Sequence, residues 1–229
     1  MIDVIYLAAG RGKRVGLGYP KQFARLGGKP ILVHGLEVLQ TMPEIRQIII
    51  PFPPGLNNEE YHQFMNLFWS YINNSPTIIP IEGGETRQDS VRRALPYIET
   101  EYVLVTEAVR PFITAEFVRQ VVNAPGDAVT PWRPATSTVI NLDWICLDRE
   151  RVGEVQMPQK FRTQLLRQAH TAAVVKGIKE ATDDSFLVMN MTATPISVIL
   201  GLEENIKITT PLDLVIAEAI YNARYLNEE

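Results

Sequence analysis

Residues 4–23 read VIYLAAGRGKRVGLGYPKQF, a short apolar run followed at once by a loop rich in glycine and cations. Val4, Ile5, Tyr6 and Leu7 form a brief, branched-residue run of the kind that suits a strand buried on both faces. The loop carries Gly10, Gly12, Gly16 and Gly18 together with Arg11, Lys13, Arg14 and Lys21. Glycines after a first strand let backbone amides approach phosphate oxygens, and cations balance the charge. The dinucleotide pattern G-x-G-x-x-G fails because its third glycine would fall at Val15, and the chain has no G-x-x-x-x-G-K-S/T spacing. Glycines alone would also suit an ordinary turn with solvated cations. Four cations and the Pro20-Lys21-Gln22 turn favour a phosphate site of neither common kind.

Outward from this loop, similar apolar runs recur at residues 47–50, 77–81 and 102–105. Between them lie helical patterns at 31–39, 59–72, 87–98 and 114–122; in the second, Tyr61, Phe64, Met65 and Phe68 share one helical face. Alternation of this kind predicts a Rossmann-like α/β fold, a mostly parallel sheet with helices on both faces. The pattern changes beyond Pro131. Residues 137–142 and 154–156 read as extended about a charged turn at 148–151, which predicts a projecting β-arm. An isolated hairpin is marginally stable in water, so the arm is expected to pair with a second copy. Helix is expected again at 161–176, strand at 196–200, and a last helix from Thr210, with Pro211 in its first position and Asp213 completing a capping box. No linker divides the chain, so residues 1–229 are expected to form one domain with a dimerisation arm at about 137–156.

Composition narrows the function. The 229 residues carry 22 Lys and Arg against 26 Asp and Glu, and a net charge of −4 argues against nucleic acid as a partner. A single cysteine, Cys146, cannot form an internal disulfide or a CxxC metal pair, which favours a reducing compartment. No apolar run approaches the ~18 residues that span a bilayer. The N-terminus has Asp3 and no basic leader, so the expectation is a cytoplasmic protein with no membrane partner. His34, His62 and His170 fall in helical patterns and read as packing or surface residues. Asp183 and Asp184 read as caps of a following helix, and Arg87 is compatible with a surface cation.

Six segments then carry a resemblance. Ala8-Ala9-Gly10-x-Gly12-x-Arg14 with Pro20-Lys21-Gln22-Phe23 resembles the opening of the 2-C-methyl-D-erythritol 4-phosphate cytidylyltransferases, shared by their ribitol-phosphate relatives. Gly83-Gly84-x-x-Arg87-x-x-Ser90-Val91, Ala108-x-Arg110-Pro111-Phe112 and Pro158-Gln159-x-Phe161 follow in the family's order. Thr182-Asp183-Asp184 and Asn205-Ile206-Lys207-Ile208-Thr209-x-Pro211 complete it. The resemblance implies a CTP-dependent nucleotidyltransferase of isoprenoid biosynthesis that joins CTP to an alcohol phosphate and releases pyrophosphate. It implies nucleotide binding at Ala8, Ala9, Gly10, Gly12, Gly84 and Ser90. Arg14, Lys21 and Lys207 would be the catalytic cations and Mg²⁺ the cofactor, bridging phosphate oxygens. The acceptor phosphate is already anionic near neutral pH, so no general base is required.

On the acceptor side, the resemblance implies Glu107, Arg110, Thr138, Arg149 and Met157, with Arg149 reaching the site of the other subunit in a homodimer. Here the chain departs from the family's pattern. Thr106-Glu107-Ala108 stands where the family reads His-Asp-Ala, Ser137-Thr138 where it reads Asp-Thr, and Met157 where it has threonine. Glu107 keeps the charge one methylene further out and remains a possible metal contact; Met157 removes a hydroxyl. A site built around substrate hydroxyls discriminates by ~10⁴–10⁵, so such changes bear on the acceptor. The leading acceptor is 2-C-methyl-D-erythritol 4-phosphate. The alternatives are ribitol 5-phosphate, another polyol phosphate, a phosphonate, or a catalytically silent nucleotide-binding homologue.

Overall fold

The computed structural model describes the chain apart from residues 11–18, 57, 73–75 and 226–229. It opens with β1 (Ile2–Leu7), a short ladder of β2 (Arg25–Leu26) with β3 (Lys29–Pro30), then α1 (Ile31–Gln40). β4 (Ile45–Phe52), α2 (Asn58–Trp69), β5 (Thr77–Glu82), α3 (Arg87–Ala94), β6 (Tyr102–Glu107) and α4 (Ala115–Asn123) follow in strict alternation. The second half holds β7 (Ala128–Pro134), β8 (Val139–Ile140), β9 (Cys146–Leu147), β10 (Gly153–Val155) and β11 (Gln159–Arg162). It ends with α5 (Thr163–Val175), α6 (Asp184–Thr192), β12 (Ser197–Leu200) and α7 (Pro211–Tyr225).

Eight strands form the main sheet in the order β10-β7-β11-β6-β1-β4-β5, with β12 also paired to β7. β1 lies parallel between β4 and β6, and β5 extends the same run. β11 is antiparallel to both of its neighbours, β6 and β7. The chain leaves β1 toward β4 on one side and returns to β6 on the other, so the strand order reverses at β1. Strand alternation sends Val4 and Tyr6 to the core layer under α1, α2 and α4, and Ile5 and Leu7 to the layer under α3, α5 and α6. The two layers cover the apolar residues of β1, and Asp3 is buried by pairing with Arg46 and the Glu99 amide, which together explain its six buried residues in a row. In α2, Met65 and Phe68 are buried on the expected face.

Several boundaries differ from the sequence reading. The helix expected over 87–98 stops at Ala94, and Leu95–Tyr97 tighten into one 3-10 turn, because Pro96 has no N–H to continue the ladder. The helix expected from residue 161 begins at Thr163. Phe161 belongs instead to β11, wholly buried and paired with Val103 and Ala128. In the arm, residues 137–142 and 154–156 do not pair with one another. Val139–Ile140 pairs with Cys146–Leu147, whereas Gly153–Val155 joins the main sheet on β7. The arm leaves its apolar side chains uncovered within the chain, with Leu142 100% and Trp144 82% exposed. Trp144 is therefore no core residue.

The caps follow the sequence. Asp213 accepts from the amides of Thr209 and Thr210 at the head of α7, and Thr114 accepts from the Phe117 amide at the head of α4. Thr114→Ala should cost about 1 kcal/mol, the usual value of one N-cap, and lower the urea midpoint with an unchanged slope. An unchanged midpoint would show that the cap bond contributes nothing.

Candidate active site

The carboxyl ends of β1 and β6 meet where the sheet order reverses, the place where α/β sheets bind ligands. The Ala108 amide donates to Leu7 O and the Ala8 amide to Pro51 O, fixing the start of the Gly loop against its two neighbours. The Gly83 amide donates to Phe52 O at 2.7 Å. A Cβ on Gly83 would lie 2.5 Å from the Ala9 Cβ and 2.7 Å from that same oxygen, so only glycine fits. A cleft of about 500 Å³ opens here, bordered by Ala8, Ala9, Gly10, Lys21, Gly84, Ser90, Glu107 and Lys207 among others.

Its charge centres on Glu107, the last residue of β6. Oε1 accepts from Lys207 Nζ at 2.7 Å, Oε2 from Arg110 Nε at 3.1 Å, and Arg87 Nε lies 3.8 Å from Oε1. Burial alone would push the carboxyl up, but Lys207, Arg110 and Arg87 outweigh it and hold the pKa down at about 2. Arg110 also donates to Asn205 O at 2.6 Å, and Lys21 Nζ to Ile208 O at 2.6 Å. These bonds draw the segment from Asn205 to Thr209 across the cleft, although it lies about two hundred residues from the Gly loop in sequence.

The structure thus brings most of the expected nucleotide side together. Ala8, Ala9, Gly10, Gly84, Ser90, Lys21 and Lys207 line one cleft; Gly12 and Arg14 fall outside the described residues. The Ser90 hydroxyl accepts from the Gly84 amide and donates to Thr86 O, so it shapes the turn. The acceptor set is divided. Glu107 lines the cleft and Arg110 is bonded to it, but Thr138 and Arg149 are exposed on the arm, away from the cleft within the chain. Met157 is buried, its carbonyl accepting from Asn205 Nδ2.

Sequence reasoning missed how three polar groups are paired. Arg87 is no surface cation: its guanidinium is paired with Asp184 at 2.8 Å as well as facing Glu107. Of the two neighbouring aspartates, Asp183 caps α6 through the amides of Ser185 and Phe186, while Asp184 is buried and 3.1 Å from His170 Nε2. His170 is therefore a buried hydrogen-bond partner of Asp184, beyond simple packing. The Gly-Gly-x-x-Arg spacing marked Arg87, but nothing local marks a partner 97 residues on.

The chemistry of the donor set does not fit a protein-held metal. Glu107 is shared among three cations, and among the described residues no group of three or more His, Cys, Asp or Glu could hold an ion. The expectation that Glu107 contacts Mg²⁺ has no support in this arrangement. Among the described residues, no helix is long and apolar enough to cross a membrane.

A glycine-started, cation-lined cleft at the reversal point of a mostly parallel sheet defines a nucleotide-binding α/β enzyme. Residues 2–223 match the family of 2-C-methyl-D-erythritol 4-phosphate cytidylyltransferase, and the chain belongs to that family. It is similar to the 2-C-methyl-D-erythritol 4-phosphate cytidylyltransferase of Alkaliphilus metalliredigens, 35% identical over 237 residues and covering 100% of this chain and 96% of that one. The crystal structure of the enzyme of that name from Thermus thermophilus superposes with a TM-score of 0.77 at 30% identity, over 97% of this chain and 100% of its own. The 4-diphosphocytidyl-2C-methyl-D-erythritol synthase of Anaerococcus prevotii gives a TM-score of 0.81 at 28% identity, covering 96% and 95%.

Glu107 and Asp184 are both held at about 2, so the native state binds fewer protons than the unfolded chain between roughly pH 4.5 and 2. Their stabilisation is complete above that window and is lost as the pH falls through it. Stability should decline as the pH drops below about 4.5, and Glu107→Gln should flatten that decline. Parallel curves for the variant and the parent would exclude Glu107 as a source of the acid sensitivity.

Proposed function

We propose that this chain transfers the cytidylyl group of CTP to 2-C-methyl-D-erythritol 4-phosphate, yielding the CDP-alcohol and pyrophosphate. The observation that carries this reading is a cation-bordered cleft at the end of β1, in a chain that matches the family along nearly its whole length. The names of the full-length relatives support this acceptor over ribitol 5-phosphate, another polyol phosphate or a phosphonate. Against a silent homologue stands the charge arrangement: Lys21, Lys207 and Arg110 are held at the cleft by buried partners, which a decayed site has no reason to maintain.

In the proposed reaction an acceptor phosphate oxygen attacks the α-phosphorus in line. The new P–O bond forms as the bond to the β-phosphate bridging oxygen breaks, and pyrophosphate departs with that electron pair. Little covalent work remains for the protein beyond positioning and charge stabilisation. The Gly loop, with Ala8, Ala9, Gly10, Gly12 and Arg14, takes the triphosphate, and the turn at Gly84 and Ser90 takes the cytidine. Lys21 and Lys207 meet the charge that develops on the phosphoryl oxygens. A divalent cation, if used, would have to be held by the nucleotide rather than by these side chains, and would supply further charge neutralisation. The acceptor faces Glu107 and Arg110, with Met157 behind them.

Pyrophosphate release should be seen with CTP and the methylerythritol phosphate, and far less with ATP, since a purine overfills a pocket read by backbone groups near Gly84. Equal turnover with ATP, or none with this acceptor in a panel of polyol phosphates, would overturn the reading. Lys207→Ala should lower kcat by roughly 10²–10³, the scale of one electrostatic stabiliser.

The arm, about residues 137–156, is proposed to exchange across a two-fold axis in a homodimer. Exposed Ile140, Leu142, Trp144 and Ile145 support this, because the chain itself offers them no cover. Arg149 of one copy would then bind the acceptor phosphate in the site of the other. Arg149→Ala should raise the acceptor KM tenfold or more, and mixing it with a Lys21→Ala subunit should restore part of the activity. A monomer by sedimentation, or no rescue in confirmed mixed dimers, would exclude the exchange.

A further inference from the structure

Behind the cleft a line of paired polar groups runs from the second core layer to the pocket. His170 is buried on α5, and its Nε2 is 3.1 Å from Asp184 Oδ1. The other Asp184 oxygen, Oδ2, is 2.8 Å from Arg87 Nη2. Arg87 Nε lies 3.8 Å from Glu107 Oε1, the oxygen that holds Lys207 at 2.7 Å. The three Arg87 nitrogens have no exposed surface and no well-formed hydrogen bond, while 19% of its side chain remains accessible. What Arg87 shows the cleft is therefore its carbon stem. Its charge points back, toward two carboxylates.

The same corner is latched by polar bonds. Gln88 Nε2 donates to Ile178 O, the Ala181 amide donates to Gln88 Oε1, and Thr86 Oγ1 donates to Lys179 O. Asp183, next in sequence, is fully engaged by the amides of Ser185 and Phe186 and by Gln159 Nε2. Asp184 is thus the carboxylate that touches Arg87 from behind, with the Asp183 charge adding from further off. Arg87 and Lys207 share one oxygen of Glu107, so any change that drives Arg87 onto that oxygen loosens Lys207.

We propose that Asp184, seated on His170, is a positioning residue for cytidylyl transfer: it holds Arg87 back from Glu107 and so leaves Glu107 to fix the Lys207 ammonium in the cleft. This rests on the function proposed above for its effect on turnover, but the geometry concerns any phosphate-bearing ligand that meets Lys207. Without the Asp184 charge, Glu107 is the carboxylate left within 4 Å of the buried guanidinium, the Asp183 charge acting only from further off, and the 3.8 Å separation from Glu107 closes at the expense of Lys207. His170 acts one step further away, by holding the Asp184 carboxylate in place.

The test is a double-mutant cycle between Asp184→Asn and Lys207→Ala, read in kcat for pyrophosphate release and, separately, in the affinity for inorganic pyrophosphate by calorimetry. Asp184→Asn should lower kcat about tenfold and weaken pyrophosphate binding several-fold in the parent. In the Lys207→Ala background it should change either quantity by less than twofold, because the residue through which it acts is gone. Equal losses in both backgrounds would reduce Asp184 to general support of the fold and overturn the proposal. His170→Gln leaves every carboxylate and guanidinium in place and should give a smaller loss with the same dependence on Lys207; this variant decides the matter should Asp184→Asn not fold. Parent-level kcat and pyrophosphate affinity in His170→Gln and Asp184→Asn alike would also overturn it. If the parent fails to turn over CTP with the acceptor, the functional reading falls, and the calorimetric cycle still tests the positioning role.

Discussion

One carboxylate balances three cations at the end of β6, and the site is organised around it. Glu107 receives Lys207 from the C-terminal segment, Arg110 from the turn that follows it, and the approach of Arg87 from the head of α3. Three stretches separated by tens of residues are thereby held within a few ångströms. Removing one partner of such a buried cluster leaves uncompensated charge, which typically costs about 3–5 kcal/mol, so the cluster holds together as a unit. The excess of cations over carboxylates also leaves the cleft suited to phosphates.

Around that centre the backbone does most of the remaining work. The ends of β1, β4 and β6 are tied by amide bonds at Ala8, Gly83 and Ala108, and the close contact at Gly83 brings two glycine-bearing segments together. These hydrogen bonds hold the rim of the cleft in place before any ligand arrives, and a preorganised site suits a reaction whose transition state spreads negative charge. Glu107, a buried carboxylate at the cleft, is taken up by its cations, and a phosphate nucleophile needs no general base.

The arm obeys a different physics. Its two-residue ladder, Val139–Ile140 against Cys146–Leu147, projects apolar side chains that neither core layer reaches. Such a piece gains burial only against another surface.

How much of this was legible beforehand follows from range. The alternation of apolar runs and the Thr210-Pro211-Asp213 start are local signals, and each produced the element it promised. Phe161 was misread because it stands four residues before Leu165, a helical spacing, and so fits a helix as well as a strand; pairing with Val103 and Ala128 decided it. The arm was read with the wrong partners for the same reason, since Gly153–Val155 found a free edge on β7. Arg87, Asp184 and His170 carry no local mark of their association, because a charge becomes buried and paired only when distant segments close over it. The sequence by itself determined the layered α/β fold, the glycine loop after β1 and the cations at hand, since these rest on period, turn chemistry and residue type. Tertiary structure alone decided which cation meets which carboxylate, because Coulomb energy depends on separation in space and on the water excluded between the charges.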